Sequence, residues 1–88
     1  MKDLLIESAF RRDTKICRKR GTDLGRIDAM IEILRNGHSQ PPNYRPHKLQ
    51  GKWRGAWECH VAPDLLLVYE FDETTVTLIR LGSHSDLF

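Results

Sequence analysis

A chain of 88 residues, 40% hydrophobic and 30% charged, has room for one domain over residues 1–88 and one modest core, because chains of this size bury only about 60% of their unfolded surface. Its charged fraction and its lack of long Gly, Ser or Pro tracts exclude a disordered segment, and no run reaches the roughly 18 to 20 apolar residues that cross a bilayer. The net charge of +2 hides an asymmetry: residues 1–56 hold 13 of the 14 Lys and Arg against 6 acids, and residues 57–88 hold Arg80 against 6 acids. That imbalance points the N-terminal part toward a polyanionic or acidic partner, unless "RRDTKICRKR" is simply the solvated face of a helix.

The opening "MKDLLIESAF" carries Asp3 and Glu7 inside its apolar stretch, unlike the apolar core of a signal peptide, so a cytoplasmic protein without membrane contact is expected. Residues 2–7 read as a first strand. Ser8 is a plausible N-cap for a helix running to about Arg20, with Gly21 as its stop and three cations in "CRKRG" where the helix dipole favours them. Phe10, Thr14 and Cys17 form its inward stripe. Thr22 or Asp23 can cap a second helix, on which Leu24, Ile27, Met30, Ile31 and Leu34 share a face, and the two helices are expected to pack as a hairpin.

"NGHSQPPNYRP" ends that helix at Asn36-Gly37 and forbids its continuation at Pro41-Pro42; His38 reads as loop surface. The period then changes. Residues 47–53 read as a short strand with Gly51 as a turn or bulge, and 54–61 as a strand with Trp57, Cys59 and Val61 on one face and Glu58 and His60 on the other. "PD" breaks that strand. "LLLVYEF" is apolar on both faces and therefore central, and "DETT" turns the chain into "VTLIRLG". Three strands in sequence with tight turns give an antiparallel meander, and the whole is an α+β fold: an N-terminal strand and helix pair, then the meander. Cys17 and Cys59 lack metal or redox spacing and read as reduced, partly buried thiols.

No phosphate-binding glycine loop, HExxH or EF-hand loop occurs. His47, His60 and His84 instead fall at loop and strand ends, with Glu58, Asp64 and Arg80 nearby. His60 and Asp64 flank one connection of the meander, and Gly82 can bend His84 back toward the sheet through unusual backbone angles. Imidazole, with a reference pKa of about 6.5, both takes and gives a proton near neutrality. A pair of such groups with a phosphate-binding Arg suits metal-free RNA cleavage, in which the ribose 2′-OH attacks phosphorus and a second group protonates the leaving 5′ oxygen. DNA lacks that hydroxyl. Taken singly, each His is more often a surface residue or a satisfied hydrogen-bonding partner, and Asp64 more often a turn residue. A metal site from His47, His60, His84 and Asp64 is conceivable, but no pair has helical spacing, and neither metal nor cofactor is expected. Trp53, Trp57, Tyr69 and Phe71 read as packing before they read as base-stacking platforms.

The string "HKLQGKWRGAWECHVAPDLLLVY" followed by "RLGSHSDLF" resembles the YafQ branch of the RelE-type toxins of bacterial toxin–antitoxin systems, from about Tyr44 to Phe88. "HxLxGxW", "HxxPDxxLxY" and "RxGxHxxLF" in that order carry the likeness jointly. It implies a RelE-like fold and an endoribonuclease that cuts messenger RNA on the ribosome. By the same resemblance His47, His60, Asp64 and His84 share acid–base and orienting roles, Arg80 stabilises phosphate charge, and Phe88 helps hold RNA with Lys48, Lys52 and Arg54. His84 is the expected acid, with Asp64 or His60 nearer the 2′-OH. Leu65 follows Asp64 where the family can carry Trp, which bears on base preference. The implied partners are the ribosome, messenger RNA and a ribbon-helix-helix antitoxin of the DinJ kind, which alone brings the pair to DNA. Arg11, Arg12, Lys15, Arg18, Lys19 and Arg20 could meet the antitoxin or ribosomal RNA. A reading from another class is a catalytically silent module of this fold that binds ribosome or antitoxin without cutting.

Overall fold

A computed structural model of the chain describes residues 1–37 and 46–88, and the readings of His38, the double proline and Tyr44 lie outside those residues. The elements run β1 (Asp3–Ile6), α1 (Ser8–Lys19), α2 (Leu24–Arg35), β2 (His47–Lys48), a 3₁₀ turn (Gly51–Trp53), β3 (Trp57–Ala62), β4 (Leu65–Phe71), β5 (Thr75–Gly82) and a four-residue α3 (His84–Leu87). They form the expected α+β arrangement on one five-stranded sheet, ordered β1-β5-β4-β3-β2. The β3–β4–β5 meander is antiparallel, while β1 pairs parallel to β5, with Asp3 opposite Thr75 and Ile6 opposite Leu78.

β4 is central and apolar on both faces, and the sheet has a core on each side. Leu65, Leu67 and Tyr69 join Phe10, Cys17, Ile27, Met30 and Leu34 beneath the two helices. Leu66 and Val68 face the other way, onto Ala56 and Leu87, with Leu49, Trp53 and Ile79 around them. That second, smaller core is what seats α3 and the 3₁₀ turn on the sheet. Both cysteines are buried free thiols of the helical side, and burial pushes the Cys59 thiol up to about 12.

Several local expectations are corrected. The N-cap of α1 is Glu7, without a side-chain cap, and Ser8 is already helical; Asp23 does cap α2, accepting from the Gly25 amide at 3.0 Å. The strand expected over 47–53 stops after Lys48. Gly51 then takes a φ of 69°, a conformation open to glycine, and starts the 3₁₀ turn. The expected strand over 54–61 begins only at Trp57. Nor do α1 and α2 seal against one another: α1 lies against β5, α2 against β3 and β5, and a groove of about 850 Å³ opens between them.

One buried group had no place in the periodicity. Asp13 is 7% exposed, among apolar neighbours on α1. β1 ends at Ile6, so the edge of β5 beyond Leu78 lacks a neighbouring strand. Asp13 Oδ2 accepts from the Leu81 amide at 2.9 Å and so replaces the missing strand there.

Candidate active site

The registers of the sheet bring the candidate residues onto the face that carries the smaller core. His60 of β3 lies opposite Leu66 of β4, which lies opposite Gly82 of β5. Two rungs along, and so on the same face, Glu58, Val68 and Arg80 stand in a row, and His47 of β2 faces Glu58 from the far edge. Period-two alternation on β3 therefore places Glu58 and His60 together, as their sequence positions predict.

At that edge the three side chains converge. His47 Nδ1 is 4.0 Å from Glu58 Oε1, and the His47 and His60 rings meet edge to face at 6.4 Å. One ligand-type atom from each of His47, Glu58 and His60 lies within 4.8 Å of the others. Two imidazoles and a carboxylate so placed can relay a proton or hold a metal ion, and they are the residues of this site that fit one. Glu58 did not figure among the expected site residues; its shared face with His60 was the available signal. Lys48, Lys52 and Arg54 are all exposed on the segment that joins this group to the 3₁₀ turn.

The second group sits on α3. Its fold is local: Ser83 Oγ accepts from the Asp86 amide at 3.1 Å, while Asp86 Oδ2 accepts from the Ser83 amide at 2.9 Å, a reciprocal capping box. The box fixes His84 as the first helical residue. Asp64, in the two-residue turn between β3 and β4, accepts from the His84 backbone amide at 3.3 Å. Thus Asp64 and His84 do meet, but the carboxylate holds the backbone of α3. The His84 ring lies 5.2 Å from Phe88, and Phe88 packs edge to face on Trp53 at 5.0 Å, with Lys52 Nζ over the Trp53 ring at 4.7 Å. Trp53 was expected as packing before base stacking, and this contact sets it beside the exposed Phe88.

Gly82 works differently from the sequence expectation. Its φ lies outside the left-handed range, so backbone freedom is not what it supplies. A Cβ at Gly82 would stand 3.0 Å from both Cβ and Oδ2 of Asp86, so glycine is the residue that lets α3 fold back this closely.

Two of the candidate cations, Arg80 and Arg20, are held by carboxylates of the protein itself. Arg80 Nε donates to Asp13 Oδ2 at 2.7 Å and Nη2 to Oδ1 at 3.2 Å, and this pairing raises the guanidinium pKa above its ordinary value. Its side chain stays 30% exposed at the β5 edge. Arg20, expected on the partner-binding face, donates to Asp86 through Nη1 at 2.7 Å and Nη2 at 3.3 Å. With the Ser83 contacts, Arg20 holds the Asp86 carboxyl well below the usual carboxylate range. Arg11, Arg12, Lys15, Arg18 and Lys19 are exposed along α1. Leu65 is buried in the larger core, on the opposite side of β4 from Leu66, so its identity belongs to packing beneath the helices.

The model of the YafQ family, "Bacterial toxin of type II toxin-antitoxin system", matches residues 2–88. The mRNA interferase toxin YafQ of Escherichia coli is 31% identical over 88 residues, which span 99% of this chain and 96% of that protein. Among solved structures, the E. coli DinJ-YafQ toxin-antitoxin complex matches with a TM-score of 0.91 at 31% identity, covering 99% of this chain and 97% of that one. A copper-bound mutant toxin from Helicobacter pylori matches over the full length of both chains, with a TM-score of 0.94 and 36% identity.

Proposed function

The chain belongs to the YafQ toxins of type II toxin–antitoxin systems, and from that premise we propose that it works as one domain over residues 1–88 that cleaves messenger RNA on the ribosome. Its enzyme class is endoribonuclease, that of the mRNA interferase it resembles over its whole length. The observation that carries the mechanism is the placement of three imidazoles at two positions on one sheet face, His47 and His60 with Glu58 at the β2–β3 edge and His84 on α3, either side of a small apolar core.

In this reading the Glu58–His60 edge takes the proton from the ribose 2′-OH. The 2′ oxygen bonds to phosphorus as the bond from phosphorus to the 5′ oxygen breaks, and His84 gives its proton to that leaving oxygen. The products are a 2′,3′-cyclic phosphate and a 5′-hydroxyl end. Lys48, Lys52 and Arg54 supply positive charge to the RNA backbone, and Phe88 with Trp53 offers an aromatic surface for a base. Arg80, with its exposed edge, stabilises phosphate charge while Asp13 fixes its direction. Asp64 acts through His84, as a positioning residue. No step needs a metal; an ion held by His47, Glu58 and His60 would supply Lewis-acid chemistry, and those residues do fit one.

The antitoxin partner follows from the family. Its docking place is the groove between α1 and α2, floored by Leu4, Phe10, Ile27 and Ile31 and rimmed by Arg11, Lys15 and Arg18 on α1 and by Asp28 and Glu32 on α2. The apolar floor and the cationic α1 rim suit an amphipathic segment of a DinJ-like ribbon-helix-helix protein that lays its acidic side along α1, and through that antitoxin the pair reaches DNA. Among the described residues no helix is long and apolar enough to cross a membrane, and a cytoplasmic site of action agrees with a ribosomal target.

The test is expression in bacteria with mapping of RNA ends. His84→Ala and His60→Ala are expected to abolish growth arrest and new messenger ends while retaining antitoxin binding. Undiminished arrest in both variants would overturn the acid–base assignment, and arrest by the parent chain without new RNA ends would favour the silent binding module.

A further inference from the structure

The cations of α1 stand on two different faces. Arg11, Lys15 and Arg18 line the groove toward α2, whereas Asp13, Cys17 and Arg20 follow one another at helical spacing on the side turned to β5 and α3. Arg20 closes that second stripe as the C-cap of α1. Its backbone is fixed there, with the N–H shared between the Ile16 and Cys17 carbonyls at 3.1 Å, and Cys17, one turn back, is buried. A hollow of about 150 Å³ lies among α1, β5 and α3, lined by Ile16, Cys17, Arg80 and Leu81 together with Arg20 and Asp86. Apolar packing does not fill this space, and the guanidinium reaches across to the Asp86 carboxylate at 2.7 and 3.3 Å.

α3 needs such a hold. Its four residues make barely one turn, and a helix that short has no stability of its own in water. Its capping box closes through the same carboxylate, since Asp86 Oδ2 accepts both from the Ser83 amide at 2.9 Å and from Arg20 Nη1 at 2.7 Å. Leu87 anchors α3 in the smaller core, but apolar contact has no direction and leaves the turn free to swivel. A two-pronged, charge-assisted pair fixes direction as well as position. Asp86 comes two residues after His84, about 200° round a helix of 3.6 residues per turn. Arg20 therefore holds α3 from the side away from the His84 ring, and it can aim the imidazole without touching what the imidazole touches.

We propose that Arg20 is a positioning residue for RNA cleavage: through Asp86 and the capping box it sets the direction of His84, the group that protonates the leaving 5′ oxygen. The proposal rests on that reading of His84. It also removes Arg20 from the cations offered to the antitoxin or to ribosomal RNA and gives it a task inside the enzyme.

In a reconstituted ribosome assay, Arg20→Gln should lower kcat about 10- to 100-fold and leave KM for the programmed ribosome within about twofold. The loss should stay below that of His84→Ala, because misdirecting a general acid cannot cost more than removing it, about 10²- to 10⁴-fold. Arg20→Lys keeps the charge but not the fork and should recover only part of the rate. Asp86→Asn should resemble Arg20→Gln, and the double variant should be no slower than the slower single one. Arg26→Gln, at an exposed cation of α2, should cleave like the parent. Nuclear magnetic resonance reads the seat of α3 without any cleavage. Arg20→Gln should weaken the Overhauser contacts between Phe88 and Trp53, whose rings lie 5.0 Å apart, and shift the His84 ring signals while those of His60 stay in place. Circular dichroism separates a displaced α3 from a lost fold. A raised KM at full kcat, or losses that add in the double variant, would mean that Arg20 meets ribosome or RNA directly and overturns the proposal. Unaltered kcat, or parent-like spectra of Arg20→Gln, overturns it as well. A parent chain that cuts no message overturns the endoribonuclease reading and the kinetic half with it, and the spectra alone then decide whether Arg20 holds α3.

Discussion

Replacing Asp13 by Ala is expected to be among the most damaging single changes outside the apolar core. The side chain is buried and serves two partners: it accepts from the Leu81 amide at 2.9 Å and from the Arg80 guanidinium at 2.7 and 3.2 Å. Without it the Leu81 N–H faces no acceptor, and an unpaired buried donor costs about 1–3 kcal/mol. The Arg80 pairing adds less, about 0.5–1 kcal/mol, because that side chain is partly exposed and solvent screens the charge. Together these give about 1.5–4 kcal/mol, and since 1 kcal/mol moves Tm by about 4–8 °C in a domain of this size, a fall of roughly 6–30 °C follows. Asp13→Asn keeps an oxygen for the Leu81 amide and should lose less, about 1–2 kcal/mol. Thermal unfolding of both variants followed by circular dichroism reads the difference. A drop below about 3 °C for Asp13→Ala, or equal damage from the two substitutions, would show that the carboxylate does not substitute for a strand at this edge.

Two further outcomes concern α3. Gly82→Ala should push Asp86 and the helix that carries His84 off the sheet, because the new Cβ meets a backbone-fixed Cβ at 3.0 Å; about 1–2 kcal/mol of stability should go with much of the growth arrest, and unchanged unfolding and arrest would refute that packing role. Asp86 carries a pH signature whose sign is set by its depressed pKa. Its contribution is present above the ordinary carboxylate value of about 4 and is lost as pH falls through the lower folded value. In a Trp57→Phe background, Trp53 fluorescence should therefore separate the parent from Asp86→Asn at pH 7 and still separate them at pH 4. The two should converge only in stronger acid, and convergence already at pH 4 would mean that Arg20 does not hold the carboxylate charged.

Much of this fold is legible because its strands and helices carry unambiguous periods. Leu24, Ile27, Met30, Ile31 and Leu34 can line only a helix face, and "LLLVYEF" can lie only between two cores. The short segment after His47 is not legible in the same way. Two residues of strand followed by a glycine-initiated 3₁₀ turn leave no period to read, so an extended strand is the natural reading of 47–53. The candidate site divides likewise. Alternation along β3 places His60 beside Glu58, and a local box places His84. The partners of Arg80 and Arg20 could not be inferred, since Asp13 lies 67 positions from Arg80 and Asp86 lies 66 positions from Arg20. Charge asymmetry suggested cations facing outward, whereas an ion pair across such a separation is created only by the fold.

Those separations bear on the order in which the molecule becomes dangerous. β3, β4 and β5 are neighbours in sequence and can zip locally, whereas β1 must wait for residues 75–78, and Asp13 and Arg20 reach their partners only once α1 has docked. An incompletely folded chain therefore carries every residue of the site but lacks the supports that aim Arg80 and hold the His84 helix. The aim of Arg80 and the seat of the His84 helix thus belong to the finished tertiary structure and to no local segment of it.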